Sequence, residues 1–145
     1  MTEEILPAGN VQLAVRATSR DDAIREAGAI LVATGAVDPA YVDSMLEREG
    51  SVSTYMGNFL AIPHGTNEAK DQIRRSALSV VRYDEPVDWN GEEARFVVGI
   101  AGIENQHLDI LSKIAIVFSD EDEVDALLKA SSAEEILDIL GEVNA

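Results

Sequence analysis

Two histidines and no cysteine set the limits of side-chain chemistry in this chain of 145 residues. His64 stands in Pro63-His64-Gly65-Thr66, and His107 in Asn105-Gln106-His107-Leu108. The lack of cysteine removes a thiolate nucleophile, disulfides and thiolate metal sites. Zinc would need a third ligand beside the two imidazoles. A carboxylate could serve, but no His-x-x-x-His or similar spacing is present. A serine triad would want a G-x-S-x-G elbow, which does not occur. Neither a Walker loop nor a G-x-G-x-x-G fingerprint is found. Histidine acting as a nucleophile remains, and an imidazole nitrogen can carry a phosphoryl group directly. Such transfer chiefly needs positioning and neutralisation of charge, for which a nearby Arg is the natural clamp. Either histidine alone is better explained as an ordinary surface or hydrogen-bonded residue. Their joint placement is the informative feature.

That placement depends on the surrounding elements. Phe59–Ile62 reads as a short buried strand ended by Pro63, which sets His64 just beyond its carboxyl end. Arg95–Ala101 is a near-continuous apolar run, as expected of a strand covered on both faces. A helix from about Asn105 to Val117 follows it and carries His107 in its first turn. In open α/β sheets, sites gather at the carboxyl ends of strands. If these two strands are parallel neighbours, both histidines reach one edge of the sheet. The start of the second histidine's helix also offers backbone N–H groups to an anion.

The remaining elements fit the same architecture. A helix is predicted from Asp21 to about Thr34, capped by Ser19, with Asp22 three residues on and Gly35 after its end. Ala23, Ile24, Ala27, Ile30, Leu31 and Thr34 keep its period. A second helix starts after Asp38, with Pro39 in its first turn, and stops at Gly50. Tyr41, Val42, Met45 and Leu46 form its apolar face, and Arg48 lies in its last turn, where a cation suits the helix dipole. Ser51–Asn58 is expected to be a loop, Asn67–Ile73 a short helix, Ser76–Tyr83 a strand and Val11–Val15 a short strand. Trp89-Asn90-Gly91 has the chemistry of a turn. Helices are expected over Asp122–Ala130 and Ala133–Leu140, the latter capped by Ser131 or Ser132. The expectation is one α/β domain over residues 1–145, with a mixed sheet of about five strands and helices on both faces.

Composition narrows the partners. Eleven basic and 27 acidic side chains leave a formal charge of −16, which argues against nucleic acid. Half of that excess lies in Ser119–Ala145, where nine acidic residues face the single Lys129, and solvated helix faces explain it most simply. Hydrophobic residues make up 46%, enough for a real core. No run of apolar residues suits a bilayer, and Met1–Asn10 has no signal-peptide pattern. A cytoplasmic chain without direct membrane insertion is expected.

The stretch Tyr55-Met56-Gly57-Asn58-Phe59-Leu60-Ala61-Ile62-Pro63-His64-Gly65-Thr66 resembles the phosphorylation-site motif of IIA components of the bacterial sugar phosphotransferase system. Within the mannitol/fructose family it most resembles the mannitol type. Ala40–Glu49, Asn67–Asp71, Gly99–Leu111 and Ser132–Leu140 extend the similarity, which runs from about Ala17 onward. The resemblance implies that His64 accepts a phosphoryl group on Nε2 from the histidine phosphocarrier protein. His107 would lie beside it and stabilise charge, and Arg48 would clamp the phosphoryl oxygens. Asn58 falls where family members carry Asn or Glu. Asn58 and Thr66 would support the phosphoryl site. Gly50–Ser53 and the first 16 residues match poorly and receive no function. Neither a metal nor another cofactor is implied.

The family's next carrier is a cysteine on a IIB domain, alone or within a IIBC membrane permease. With no cysteine, this chain is expected to be the IIA part alone, relaying phosphate for mannitol uptake. Tyr55, Met56 and Phe59 lie near the motif and could form the apolar centre of a docking surface, although Phe59 suits the core better. A regulatory nitrogen-type IIA module is the alternative, with His64 as a switch. Gly65-Thr66, Asn67–Lys70 and His107 favour the mannitol type. A metal-dependent hydrolase using both histidines and a carboxylate is a third reading.

Overall fold

In the computed structural model, residues 5–6, 8–51, 53–103 and 106–140 are described, with side chains at 8, 67, 68, 70 and 106–108 outside the description. The chain runs β1 (Val11–Ala14), α1 (Arg20–Ala33), α2 (Ala40–Ser51), β2 (Tyr55–Gly57) and β3 (Leu60–Ala61). After a 3-10 turn at Asn67–Gln72 come β4 (Ala77–Trp89), β5 (Glu92–Ala101), α3 (Gln106–Phe118), α4 (Glu121–Lys129) and α5 (Ala133–Ile139). The five strands form one mixed sheet in the order β1-β4-β5-β3-β2. β1 is parallel to β4 and β3 to β5, while β4/β5 and β2/β3 are antiparallel.

Side chains alternate between the two faces of the sheet, as a period of two requires. Leu78 and Val80 of β4, with Phe96, Val98 and Ile100 of β5, pack against Ile110, Ile114, Leu127 and Ile136 of α3, α4 and α5. Val81 and Tyr83 of β4, with Val97 and Ala101 of β5, pack against Ile24, Ala27, Leu31 and Met45 of α1 and α2. Each face of the sheet therefore has its own helical layer, as the alternating pattern of elements predicts.

Two of the helix caps come from the expected residues. Ser19 accepts a hydrogen bond from the Asp22 N–H, and Ser132 from the Glu135 N–H. Asp120 caps α4 by accepting from Asp122 and Glu123. The acidic residues of the last quarter concentrate in first turns, at Glu121–Glu123 and Glu134–Glu135, where they face the positive end of the helix dipole. The far end of α4 is covered by Arg82, a buried residue of β4 whose guanidinium donates to the carbonyls of Leu127, Leu128 and Ala130.

Three sequence expectations need correction. The segment read as a loop over Ser51–Asn58 contains the last residue of α2 and the edge strand β2. Three residues at the sheet edge are too few to show a period. Phe59 is not the first residue of a strand. It sits at φ +68° in the turn between β2 and β3, beside Asn58 at φ +50° and Gly57 at φ +91°. Its side chain packs against the α3–α5 core, which holds an aromatic residue in a region it rarely enters. Finally, β4 continues past Tyr83 to Trp89, because Pro86 falls where the β4/β5 register is irregular and costs no ladder bond there. The Asn90-Gly91 turn then closes a hairpin with both residues at positive φ.

Candidate functional site

The parallel pairing of β3 with β5 settles the condition on which the two-histidine site depends. Leu60 pairs with Phe96 and Ala61 with Val97, and an isolated bridge continues the parallel pairing to His64 and Ile100. The Ile100 N–H donates to the Pro63 carbonyl at 3.0 Å. His64 thus emerges at the carboxyl end of β3, alongside the end of β5. From there the chain turns into α3, whose second residue is His107. The helical position of His107 is on the same edge as His64, and its side chain lies outside the described residues.

The His64 ring is half-buried, with Nδ1 2.9 Å from the Ile62 carbonyl. A carbonyl only accepts, so Nδ1 carries the proton of the neutral ring and Nε2 carries the lone pair. Burial lowers the imidazole pKa, and the positive charge of Arg48 lowers it further. The Ile62 hydrogen bond and the Glu49 carboxylate act in the opposite direction. The net effect is downward, so the ring is neutral and nucleophilic at pH 7.

Helix α2 supplies the other wall. Arg48 is half-buried in its last turn, close enough to His64 for its charge to act on the ring. Tyr41 is buried, and its hydroxyl accepts from the Gly65 N–H at 2.9 Å while donating to the Ile100 carbonyl at 2.9 Å. Burial pushes the phenol pKa up, which suits its role as a donor. Gly65 has no room for a side chain. A Cβ there would come within 2.4 Å of the Tyr41 ring and 2.5 Å of the Ser44 hydroxyl.

With this geometry described, comparison with known proteins decides the family. Residues 4–143 match the family described as "Phosphoenolpyruvate-dependent sugar phosphotransferase system, EIIA 2". The chain belongs to that family. EIIA components are phosphotransferase components of a phosphoryl relay. A mannitol-specific phosphotransferase enzyme IIA component from Halalkalibacterium halodurans is 54% identical over 99% of both chains. A protein of the same name from Geobacillus stearothermophilus is 48% identical over 99% of this chain and all of the relative. Among solved structures, IIA mannitol from Escherichia coli is 38% identical, with a TM-score of 0.85 over 92% of this chain and 97% of that one. The complex of enzyme IIA mannitol with phosphorylated enzyme IIB from the same organism gives a TM-score of 0.87 at 36% identity, covering 94% and 96% of the two chains.

Asn58 and Thr66, the two residues expected to support the phosphoryl site, each make contacts of their own. Asn58 is in the turn before β3, whereas His64 follows β3. Its side-chain amide donates to the Phe118 carbonyl at 2.6 Å and ties that turn to the end of α3. Thr66 is half-buried two residues beyond His64, and its carbonyl accepts from the Ala69 N–H to open the 3-10 turn. Among the described residues, no group of three or more His, Cys, Asp or Glu is arranged to hold a metal ion. No described helix is long and apolar enough to cross a membrane.

The sequence reading missed the side chains behind the site. Tyr41 was legible only as part of an apolar face, and Glu49 received no role. A signal for Glu49 existed. Tyr41, Met45 and Glu49 are four apart and are all buried, so a carboxylate stands on the buried stripe of α2. A charge there must be paired.

Proposed function

We propose that this EIIA chain accepts a phosphoryl group on Nε2 of His64 from the histidine phosphocarrier protein. It then passes the group to a cysteine of a mannitol-type IIB domain or IIBC permease. In the first step the Nε2 lone pair attacks the phosphorus of the donor's phosphohistidine. A new N–P bond forms as the donor's N–P bond breaks, and that electron pair returns to the donor imidazole. In the second step the IIB thiolate attacks phosphorus, and the electron pair of the breaking bond returns to Nε2. Arg48 balances the phosphoryl charge, and His107 stabilises it from the start of α3. No metal or other cofactor takes part. The chain acts in the cytoplasm as one domain over residues 1–145.

One observation carries this reading: the β3/β5 pair sets His64 at the carboxyl edge with Nδ1 committed to the Ile62 carbonyl. That leaves Nε2 as the nitrogen with nucleophilic character. The mannitol assignment draws on the names of relatives 48–54% identical to this chain. The solved complex with phosphorylated IIB supports a IIB partner of that type. Nitrogen regulatory protein IIA-Ntr from Neisseria meningitidis, 31% identical with a TM-score of 0.81, supports the regulatory alternative less strongly.

The test is incubation with phosphoenolpyruvate and the phosphocarrier pathway. The reading expects one acid-labile phosphoryl group per chain, absent from His64→Ala, and discharge onto a mannitol-type IIB domain. His107→Ala is expected to slow transfer while retaining acceptor capacity. Label retained in folded His64→Ala would overturn the reading. Efficient labelling with no discharge onto any IIB domain would favour the regulatory alternative.

A further inference from the structure

Glu49 is 2% exposed, yet its carboxylate makes three hydrogen bonds. Oε2 accepts from the Thr54 N–H at 2.7 Å and from Trp89 Nε1–H at 2.9 Å. Oε1 accepts from the Thr54 hydroxyl at 2.5 Å. These bonds join the last turn of α2, the last residue of β4 and the segment entering β2. A buried carboxylate is seldom the most stabilising way to fill such a space, since well-packed apolar residues often do as well. Its value must be sought in what it orients.

The path from Glu49 leads to the reacting ring. The Thr54 carbonyl accepts from the Ile62 N–H at 3.1 Å, and the Ile62 carbonyl accepts from His64 Nδ1 at 2.9 Å. Thr54 and Ile62 are both buried, which strengthens the hydrogen bond between them. The neutral imidazole in water favours its proton on Nε2, the wrong tautomer for accepting a phosphoryl group there. Something must hold the Ile62 carbonyl where it captures the Nδ1 proton instead.

We propose that Glu49 is a positioning residue: acting through Thr54 and Ile62, it holds His64 in the Nδ1–H tautomer with Nε2 as the acceptor atom. The proposal rests on the reading of His64 as the acceptor. Glu49 is also the residue after Arg48, so the same anchor fixes the helix turn that carries Arg48. Its charge reaches the ring as well, raising the imidazole pKa where Arg48 lowers it.

The experiment uses the full chain labelled with 15N-histidine. Ring correlations report the tautomer of His64 without any phosphoryl donor, and His64→Ala identifies its signals. Wild type is expected in the Nδ1–H form. Folded Glu49→Ala is expected to show a mixture with Nε2–H. Its rate of phosphoryl acceptance should fall about tenfold, with the KM for the phosphocarrier protein unchanged, as misplacement of a reacting group demands. Glu49→Gln should restore the tautomer and most of the rate. Its amide oxygen can take both N–H donors, and its NH2 can donate to a rotated Thr54 hydroxyl. Thr54→Val removes one contact with little change of shape and gives a smaller shift of the same kind if Glu49→Ala does not fold. Wild-type tautomer and wild-type rates in Thr54→Val and in any folded Glu49→Ala would overturn the proposal. If wild type takes no phosphoryl group on His64, the functional reading fails, and the kinetic half of this proposal with it; the ring spectrum shows that failure apart from a failure of positioning.

Discussion

Gly65→Ala is expected to damage both stability and transfer, and the size of the effect follows from the packing around Tyr41. An added Cβ would stand 2.4 Å from Tyr41 Cε1, 2.5 Å from Ser44 Oγ and 2.8 Å from Tyr41 Cζ. Tyr41 is 2% exposed and its hydroxyl bridges Gly65 and Ile100, so the ring has no open direction in which to yield without breaking that bridge. Ser44 is held by the Tyr41 carbonyl at 2.7 Å. Overpacking of this kind costs about 1–3 kcal/mol. Loss of the Gly65–Tyr41 hydrogen bond adds about 1 kcal/mol. A total of about 2–4 kcal/mol would lower the Tm by roughly 6–12 °C in a domain of this size. The residue moved is the neighbour of His64, so phosphoryl acceptance at temperatures well below the Tm should also slow. Thermal unfolding followed by calorimetry, with acceptance rates on the same preparation, measures both. A variant with the wild-type Tm and rate would show that the close approach of Tyr41 to Gly65 is not as described.

Three other outcomes follow from the same structure. Arg82→Met removes the guanidinium that covers the end of α4 and is expected to cost about 3 kcal/mol in denaturant unfolding, with acceptance rates unchanged below the transition. The pH profile of acceptance should have its midpoint below pH 6.5, because burial, followed by Arg48, lowers the His64 pKa from 6.5. The unfolded chain takes up this proton first, so the ring's contribution to stability is present above pH 6.5 and is lost as pH falls through the folded value; a rate midpoint at or above 6.5 would contradict this. A net charge of −16 should speed encounter with a basic phosphocarrier face at low salt, and transfer rates that do not change with ionic strength would count against that steering.

The long-period and capped elements were readable because each carried its own local signal. Ser19 and Ser132 marked helix starts, and Asn90-Gly91 marked a hairpin. The apolar run Arg95–Ala101 has the pattern expected of a strand covered on both faces, and it lies within one. His64 and His107 were legible as candidates for one sheet edge, but that placement hinged on strand order, which pairing across 36 residues decides and local sequence does not. The edge strand β2 was too short to show alternation. The left-handed backbone of Phe59 is imposed by its ring reaching the core, so its strand-like residue type misled. Glu49 was the costliest omission. Its position four residues from Met45 was visible, but its partners Thr54 and Trp89 lie five and 40 residues on, and only the fold brings the second to it.

The most direct test of the account is the site and atom of phosphorylation. The chain labelled with 15N-histidine, phosphorylated from phosphoenolpyruvate through the phosphocarrier pathway, can be read by 15N–31P coupling in the imidazole rings. The account predicts a single phosphoryl group on Nε2 of His64, with the Nδ1 proton still held by the Ile62 carbonyl. A phosphoryl group on His64 Nδ1, or on His107, would contradict it.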